Sequence, residues 1–486
     1  MNIHLILQMA ADAMGERVAV TCGGQSLTYA ELDRAARTVA LKLQDHDRLA
    51  WLAETGPAMP AALFGAALAG KPFVPINYRL AGDRVGDLLD RVAPALLITE
   101  QEVSREAIQT ISRSDAMKGA GSAEEAHPDP GSAIELFTSG TTGDPKAAVL
   151  RHANLMAYIL GSVEFMSAGE AEASLITVPP YHIAGIAAVL SSTYSGRRMV
   201  QLPHFSAQAW LETARSEAVT HAFLVPTMLQ QVIAHVGDGG QLDLPHLRAL
   251  SYGGGKMPLS VIERAMALLP QVAFTNAYGL TETSSTICLL GPEEHRAAFA
   301  AEDPAIRRRL GSVGRPLPTV ELAIRDEEGA PCGPDEPGFV FVRGEQIGGE
   351  YKELGSRLDS DGWFPTRDVG YLDAEGFLFL DGRADDVIVR GGENISPGEV
   401  EDVLLAHPLV DEAAVVAVAD EKWGEAVGAV VVCKGQRPEE SELCELVRAQ
   451  LRSSRVPSRV LFLDALPYNE TGKLLRRVLR DQIAGI

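Results

Sequence analysis

Ala133-Ile-Glu-Leu-Phe-Thr-Ser-Gly-Thr-Thr-Gly-Asp-Pro-Lys146 decides how the rest of the chain is read. A short apolar strand, AIELF (133–137), runs into a turn containing Thr138, Ser139, Gly140, Thr141, Thr142, Gly143 and then Lys146. Glycines let the backbone approach an anion and present its N–H groups. The hydroxyls add donors and the lysine adds charge, so the chemistry suggested is polyphosphate binding. Two better-known loops are excluded. The G-x-x-x-x-G-K-[ST] spacing is absent, and Phe137 breaks the G-x-S-x-G pattern of a nucleophile elbow. A surface turn rich in small polar residues stays equally open on composition alone.

Outward from this stretch, periodic helices alternate with short apolar strands. Thr28 and Glu31 have capping-box spacing, followed by Leu32, Ala35, Ala36, Val39, Ala40 and Leu43 at the period of a half-buried helix. KPFVPI (71–76) and ALLIT (95–99) read as buried strands, and SAEEAHPDPGS (122–132) reads as a surface loop. GFVFVRG (338–344) and GFLFLDG (376–382) suggest an antiparallel or mixed β region. Beyond about 384 the pattern becomes helix 399–410, strands 413–420 and 426–433, and helix 441–453. The expected fold is therefore α/β: a large N-terminal domain of mixed sheets with packed helices plus a β region (1–383), and a small α+β C-terminal domain (384–486).

At 486 residues the chain is too long for one ordinary core. Its formal charge of −22 disfavours non-specific nucleic-acid binding and contact with anionic membranes. Cys22, Cys288, Cys332, Cys433 and Cys444 are scattered and form no C-x-x-C pair, so a disulfide framework or structural zinc is not expected and a reducing cytoplasm fits. The N-terminus lacks the marks of a signal peptide, and AALFGAALAG (61–70) is about half a membrane span.

Three further segments carry chemistry. Asn276-Ala-Tyr-Gly-Leu-Thr-Glu-Thr283 places an aromatic ring, a hydroxyl and a carboxylate close together, suited to a base, a phosphate and Mg²⁺. Gly362-Trp-Phe-Pro-Thr-Arg-Asp368, with Arg383 further on, offers groups for ribose hydroxyls. Asn469-Glu-Thr-Gly-Lys473 is a polar turn ending in lysine. Each is also explained by an ordinary turn.

In this order, and together with GSVGRPLP (311–318) and GRADDVIVRGGENISPGEVED (382–402), the four segments resemble the adenylate-forming superfamily of acyl-CoA synthetases, aryl-CoA ligases, luciferases and peptide-synthetase adenylation domains. The resemblance runs from LTYAELD (27–33) to NETGK (469–473). It implies a mobile C-terminal domain and an enzyme that converts a small carboxylic acid and ATP into acyl-AMP and pyrophosphate, then passes the acyl group to coenzyme A. The loop 138–146 would cradle the β/γ-phosphates. Gly253, Gly254, Gly255, Asn276 and Tyr278 would form the adenine slot, with Ala277 and Gly279 completing the nucleotide set. Thr281 would touch the α-phosphate, Glu282 would hold Mg²⁺, and Asp368 and Arg383 would grip the ribose. Lys473 would bridge the carboxylate and α-phosphate. His182 would line the acid pocket with Tyr181, Gly185, Tyr252 and Ile287. Asp385 would be the hinge, and Gly391 and Gly392 would line the pantetheine tunnel. No arginine is evident among these pocket residues, so a dicarboxylate is not favoured. Family members are monomers or dimers, so a homodimer is open to this chain.

Three positions depart from the commonest pattern. Ala147 stands where glycine usually follows the loop lysine, Arg367 replaces the glycine before the ribose aspartate, and Asp385 is lysine in some relatives. Arg367 is expected to pair with Asp368 and alter the ribose contacts. Three alternatives stay open: loading of a carrier-protein phosphopantetheine, an enzyme keeping only the thioester-forming half-reaction, and a silent adenylate-binding protein.

Overall fold

The computed structural model describes residues 1–119, 131–138, 145–237, 240–468 and 474–485. Of the sequence expectations, the loop 122–130, Ser139, Gly140, Thr141, Thr142, Gly143 and Lys473 lie outside them. The described chain forms two compact units. One is Met1–Leu322 with Val342–Phe364; the other is Ala323–Phe341 with Pro365–Ile486. By compactness, 323–341 and 365–383 therefore group with the C-terminal residues rather than ahead of a division at 383/384.

The first unit holds a nine-stranded and an eight-stranded sheet. In the first sheet the parallel strands Arg198–Gln201, Ala173–Ile176, His221–Leu224, Ala249–Gly253 and Ala273–Leu280 lie side by side. Pairing turns antiparallel at the hairpin from Ala273–Leu280 to Ser285–Leu290. In the second sheet Leu49–Leu52, Phe73–Pro75 and Ser132–Thr138 run parallel, and pairing again turns antiparallel at the hairpin from Ser132–Thr138 to Lys146–Arg151. The strand at 71–76 is thus shorter than its apolar run, spanning Phe73–Pro75.

Local chemistry explains the main helices. Thr28 Oγ1 accepts from the Glu31 amide at 3.2 Å, and Glu31 Oε2 accepts from the Thr28 amide at 2.9 Å. This reciprocal cap satisfies two otherwise orphaned donors and starts the helix Tyr29–Lys42. The apolar helix Ala58–Leu68 is buried on every side. A Cβ on Gly65 would lie 2.6 Å from the Ala36 carbonyl, so glycine permits the close crossing of these two helices. No helix among the described residues is long and apolar enough to cross a membrane.

In the second unit, Phe364–Leu372 pairs antiparallel with Leu378–Arg383. A further sheet centres on the long antiparallel pair Val410–Asp420 and Gly424–Cys433, with Arg459–Phe462 parallel to the latter. The helix expected over 399–410 is Pro397–Leu405. Pro408 cannot continue it, and Val410 already opens the next strand. Helix Glu440–Gln450 and these strands enclose an apolar core of valines and leucines.

Candidate active site

In the first unit the candidate residues gather at the C-terminal ends of parallel strands, where helix and loop backbone is free to meet a ligand. Thr138 ends its strand and pairs with Lys146, and Thr138 Oγ1 donates to the Lys146 carbonyl at 3.3 Å. The two ends of the loop are therefore pinned together. Arg91 Nη1 donates to the Pro145 carbonyl at 2.7 Å, its guanidinium lies 5.0 Å from the Phe137 ring centre, and it pairs with Glu353. Ala147, the residue in place of glycine, puts its methyl into the core.

Gly253 and Ala277 are register partners on adjacent parallel strands. A Cβ on Gly253 would lie 2.1 Å from the Ala277 carbonyl oxygen, so only glycine fits. Gly254 has φ +83, a backbone that favours glycine, and Gly255 follows it. Asn276 is buried, and its Nδ2 donates to the Ser312 carbonyl at 3.0 Å. This gives the GSVGRPLP motif a structural role. A Cβ on Gly314 would lie 2.0 Å from the Leu289 carbonyl, so the motif packs backbone to backbone against the Ser285–Leu290 strand.

A register shift in the hairpin falls between Tyr278 and Gly279, and Gly279 sits with its Cβ position 1.9 Å from the Ser285 carbonyl. The chain then tightens into the 3₁₀ turn Thr281–Thr283. Thr283 Oγ1 accepts from the Leu280 amide at 2.9 Å and holds the turn from inside. The Glu282 carbonyl accepts from the amides of Gly348 and Gly349 at 3.0 and 2.9 Å. Buried Gln346 donates to the carbonyls of Thr283 and Thr286 at 3.1 and 2.8 Å. The Glu282 carboxylate accepts the Tyr351 hydroxyl. Tyr351 lies on a short strand paired with Lys146–Arg151, with Ala148 as its partner. The Glu282 turn is thereby tied to the strand that leaves the phosphate-type loop. Sequence reading missed Gln346 and Tyr351, because neither lies in a patterned motif; only the sheet brings them here.

Around the expected acid pocket, the Tyr181 ring lies 4.6 Å from His182 and 5.5 Å from Tyr78, both edge-on. His182 is part-buried as a residue, and its Nε2 is buried with no hydrogen-bond partner among the described residues. Burial, reinforced by the charge of Arg79, pushes its pKa down to about 4, so the imidazole is neutral at working pH. Arg79 also lies 5.6 Å from the Tyr78 ring centre. Arg79 itself is exposed and lies outside the named pocket residues. Tyr252 is corrected. It is fully buried in the helix-side core, with its hydroxyl 2.8 Å from His295 Nε2. Gly185 provides close approach rather than pocket space, since its Cβ would lie 2.5 Å from the Pro179 carbonyl. Ile287 is buried.

In the second unit Asp368 and Arg383 are antiparallel register partners, and Arg383 Nη1 donates to Asp368 Oδ1 at 3.1 Å. The Asp368 amide donates to Thr366 Oγ1 at 3.1 Å, which itself donates to the Val340 carbonyl at 2.8 Å. Arg367 does not pair with Asp368 as expected. Successive strand side chains point to opposite faces, so Asp368 is buried towards Arg383 while Arg367 is exposed. Arg367 Nη2 instead lies 3.3 Å from Oδ1 of Asp385, in the 3₁₀ turn Ala384–Asp386. Gly391 (φ +60) and Gly392 (φ +85) make the turn between strands Ile388–Arg390 and Glu393–Ile395. A Cβ on Gly391 would lie 2.7 Å from the ring of Trp423, an exposed aromatic with Lys422 Nζ 4.6 Å from its centre. Tyr468 and Leu474 form an antiparallel bridge.

The residues fit a magnesium-bound nucleotide in kind: a backbone-lined glycine slot, a hydroxyl, and a carboxylate fixed by Tyr351. Comparison with known proteins agrees. The profile described as AMP-binding enzyme matches residues 7–352, and that of the AMP-binding enzyme C-terminal domain matches 399–473. The fatty acid–[acyl-carrier-protein] ligase ScoC of Streptomyces coeruleorubidus is 34% identical over 96% of this chain and 93% of its own length. A 2-succinylbenzoate–CoA ligase of Bacillus licheniformis is 33% identical over 97% and 98%. The o-succinylbenzoate CoA synthetase MenE of Bacillus subtilis, in complex with its acyl-adenylate intermediate, superposes with a TM-score of 0.84 at 31% identity, covering 98% of each chain. With the motifs, the fold and both profiles in agreement, the chain belongs to the AMP-binding enzyme family, the adenylate-forming ligases.

Proposed function

We propose that this chain is an AMP-forming acid–thiol ligase that makes an acyl-CoA. The observation that carries the reading is the Tyr351–Glu282 contact, which fixes a carboxylate next to the strand leaving the 138–146 loop. Magnesium held by Glu282 would supply positive charge to the phosphates.

In the first half-reaction a carboxylate oxygen of the acid attacks the α-phosphorus in line, and pyrophosphate leaves. Such a step depends on positioning and charge neutralisation. Loop 138–146, Thr281 and Lys473 meet the phosphates and the acid. Gly253–Gly255 and residues 276–279 take the adenine, and the Asp368–Arg383 pair meets the ribose hydroxyls. Neutral His182 offers a hydrogen bond to the acid rather than a charge. In the second half-reaction the thiol sulfur attacks the acyl carbonyl, AMP leaves, and the thiol proton passes to solvent. Lys473 would obstruct the thiol, so residues 384–486 turn about Asp385 and present Gly391 and Gly392 to the pantetheine.

The Tyr78, Tyr181 and His182 rings suit an aliphatic, aryl or polycyclic acid body. The enzyme works in the cytoplasm, where ATP and coenzyme A are supplied. A second acceptor, a carrier-protein phosphopantetheine, is favoured by the similarity to ScoC.

The test incubates the protein with ATP, Mg²⁺, CoA and a panel of carboxylic acids, following acyl-AMP and acyl-CoA separately by mass spectrometry. Acyl-CoA from one acid class supports the reading. Acyl-AMP without thioester, until a carrier protein is added, moves the acceptor. Binding of ATP without either product refutes it in favour of a silent adenylate binder. Sedimentation of the same sample reads whether it is a homodimer.

A further inference from the structure

Arg367 carries three features that together ask for an explanation. Its backbone has φ +66, a region that non-glycine residues adopt rarely. Its guanidinium reaches forward to Asp385 at 3.3 Å rather than to the neighbouring Asp368. The other oxygen of Asp385, Oδ2, is buried with no hydrogen-bond partner among the described residues. Backbone strain kept in a fold is a reason to look for a role.

The surroundings locate that role. The turn Ala384–Asp386 leaves the strand that carries Arg383. From the far side, Arg480 Nη2 donates to the Asp385 carbonyl at 3.1 Å and to Asp386 Oδ1 at 2.9 Å. The turn is thus held between an arginine on the ribose strand and an arginine on the terminal helix Arg476–Ala484. Any rotation of the backbone at 384–386 that redirects Asp385 must break its contact with Arg367.

We infer that Arg367 is a positioning residue: an ionic clasp that holds the Asp385 turn in this conformation and so sets the balance between the two half-reactions. The inference rests on Asp385 being the pivot of the reading above. It also reassigns the arginine, since the nucleotide-facing pair, Asp368 with Arg383, is complete without it. A solvent-exposed pair of this kind changes an equilibrium by about two- to five-fold and weakens with salt.

Two measurements test it. In the first, adenylation and thioester formation from supplied acyl-AMP are timed separately for wild type, Arg367→Gln, Asp385→Asn and the double variant. The expected result is a ratio of the two rates changed about two- to five-fold in each single variant. The double variant changes no further, and the KM for ATP is unmoved. Additive effects, an unchanged ratio, or a KM for ATP that moves with it overturns the clasp. In the second, hydrogen exchange at the amides of 384–392 is compared in wild type and Arg367→Gln without substrates. Faster exchange in the variant, matched by wild type in high salt, supports the clasp; equal exchange overturns it. Because this measurement needs no turnover, a wild-type protein that activates no acid would sink the functional reading while leaving the clasp to be judged.

Discussion

His182 makes the protein sensitive to acid in a calculable way. Burial, with Arg79 adding to it, lowers the histidine from 6.5 to about 4 in the folded chain. The unfolded chain therefore binds a proton that the folded chain refuses. Stability from this site is complete above the unfolded value near 6.5 and is lost as pH falls towards about 4. At pH 5 the difference amounts to about 2 kcal/mol, reduced to roughly 1 kcal/mol by solvent screening at a residue that is only part-buried. The perturbation is His182→Phe, which keeps a ring against Tyr181 but cannot titrate. Urea unfolding, followed by fluorescence of buried Trp51 and Trp210, compares wild type and variant at about pH 7.5 and about pH 5. The variant's stability relative to wild type should improve by roughly 1–2 kcal/mol on going to the lower pH. A difference that does not change with pH would show that His182 titrates normally, and the neutral-imidazole role in the mechanism would fall with it.

Three further outcomes are expected. Lys473→Ala abolishes acyl-AMP formation but spares thioester formation from supplied acyl-AMP; equal loss of both half-reactions refutes its assignment. Gly253→Ala places a methyl about where the Ala277 carbonyl stands, costing more than about 2 kcal/mol of stability and weakening ATP binding, read by thermal shift and nucleotide titration. Tyr351→Phe frees the Glu282 carboxylate, raising the Mg²⁺ concentration needed for half-maximal rate by about tenfold while leaving the fold intact by circular dichroism.

The candidate segments stand out in the chain because their motifs lie at the ends of strands, where glycine, hydroxyl and charge are confined to a few consecutive positions. The strand before Thr138, the capped helix after Thr28 and the strands after 413 are all where the periodicity puts them. Side-chain direction was less accessible. Tyr252 is next to Gly253 in sequence, but the pleat turns it into the core towards His295. Arg367 is next to Asp368, but the same alternation sends it to Asp385.

The sequence by itself determined the family and the α/β character and marked the candidate nucleotide segments, because those properties depend on short runs of residues. The tertiary structure alone decided which distant side chains complete them. Tyr351 meets Glu282 across 69 residues, and Asn276 reaches Ser312 across 36. These contacts are set by sheet order and register, and no local period in the chain records either one.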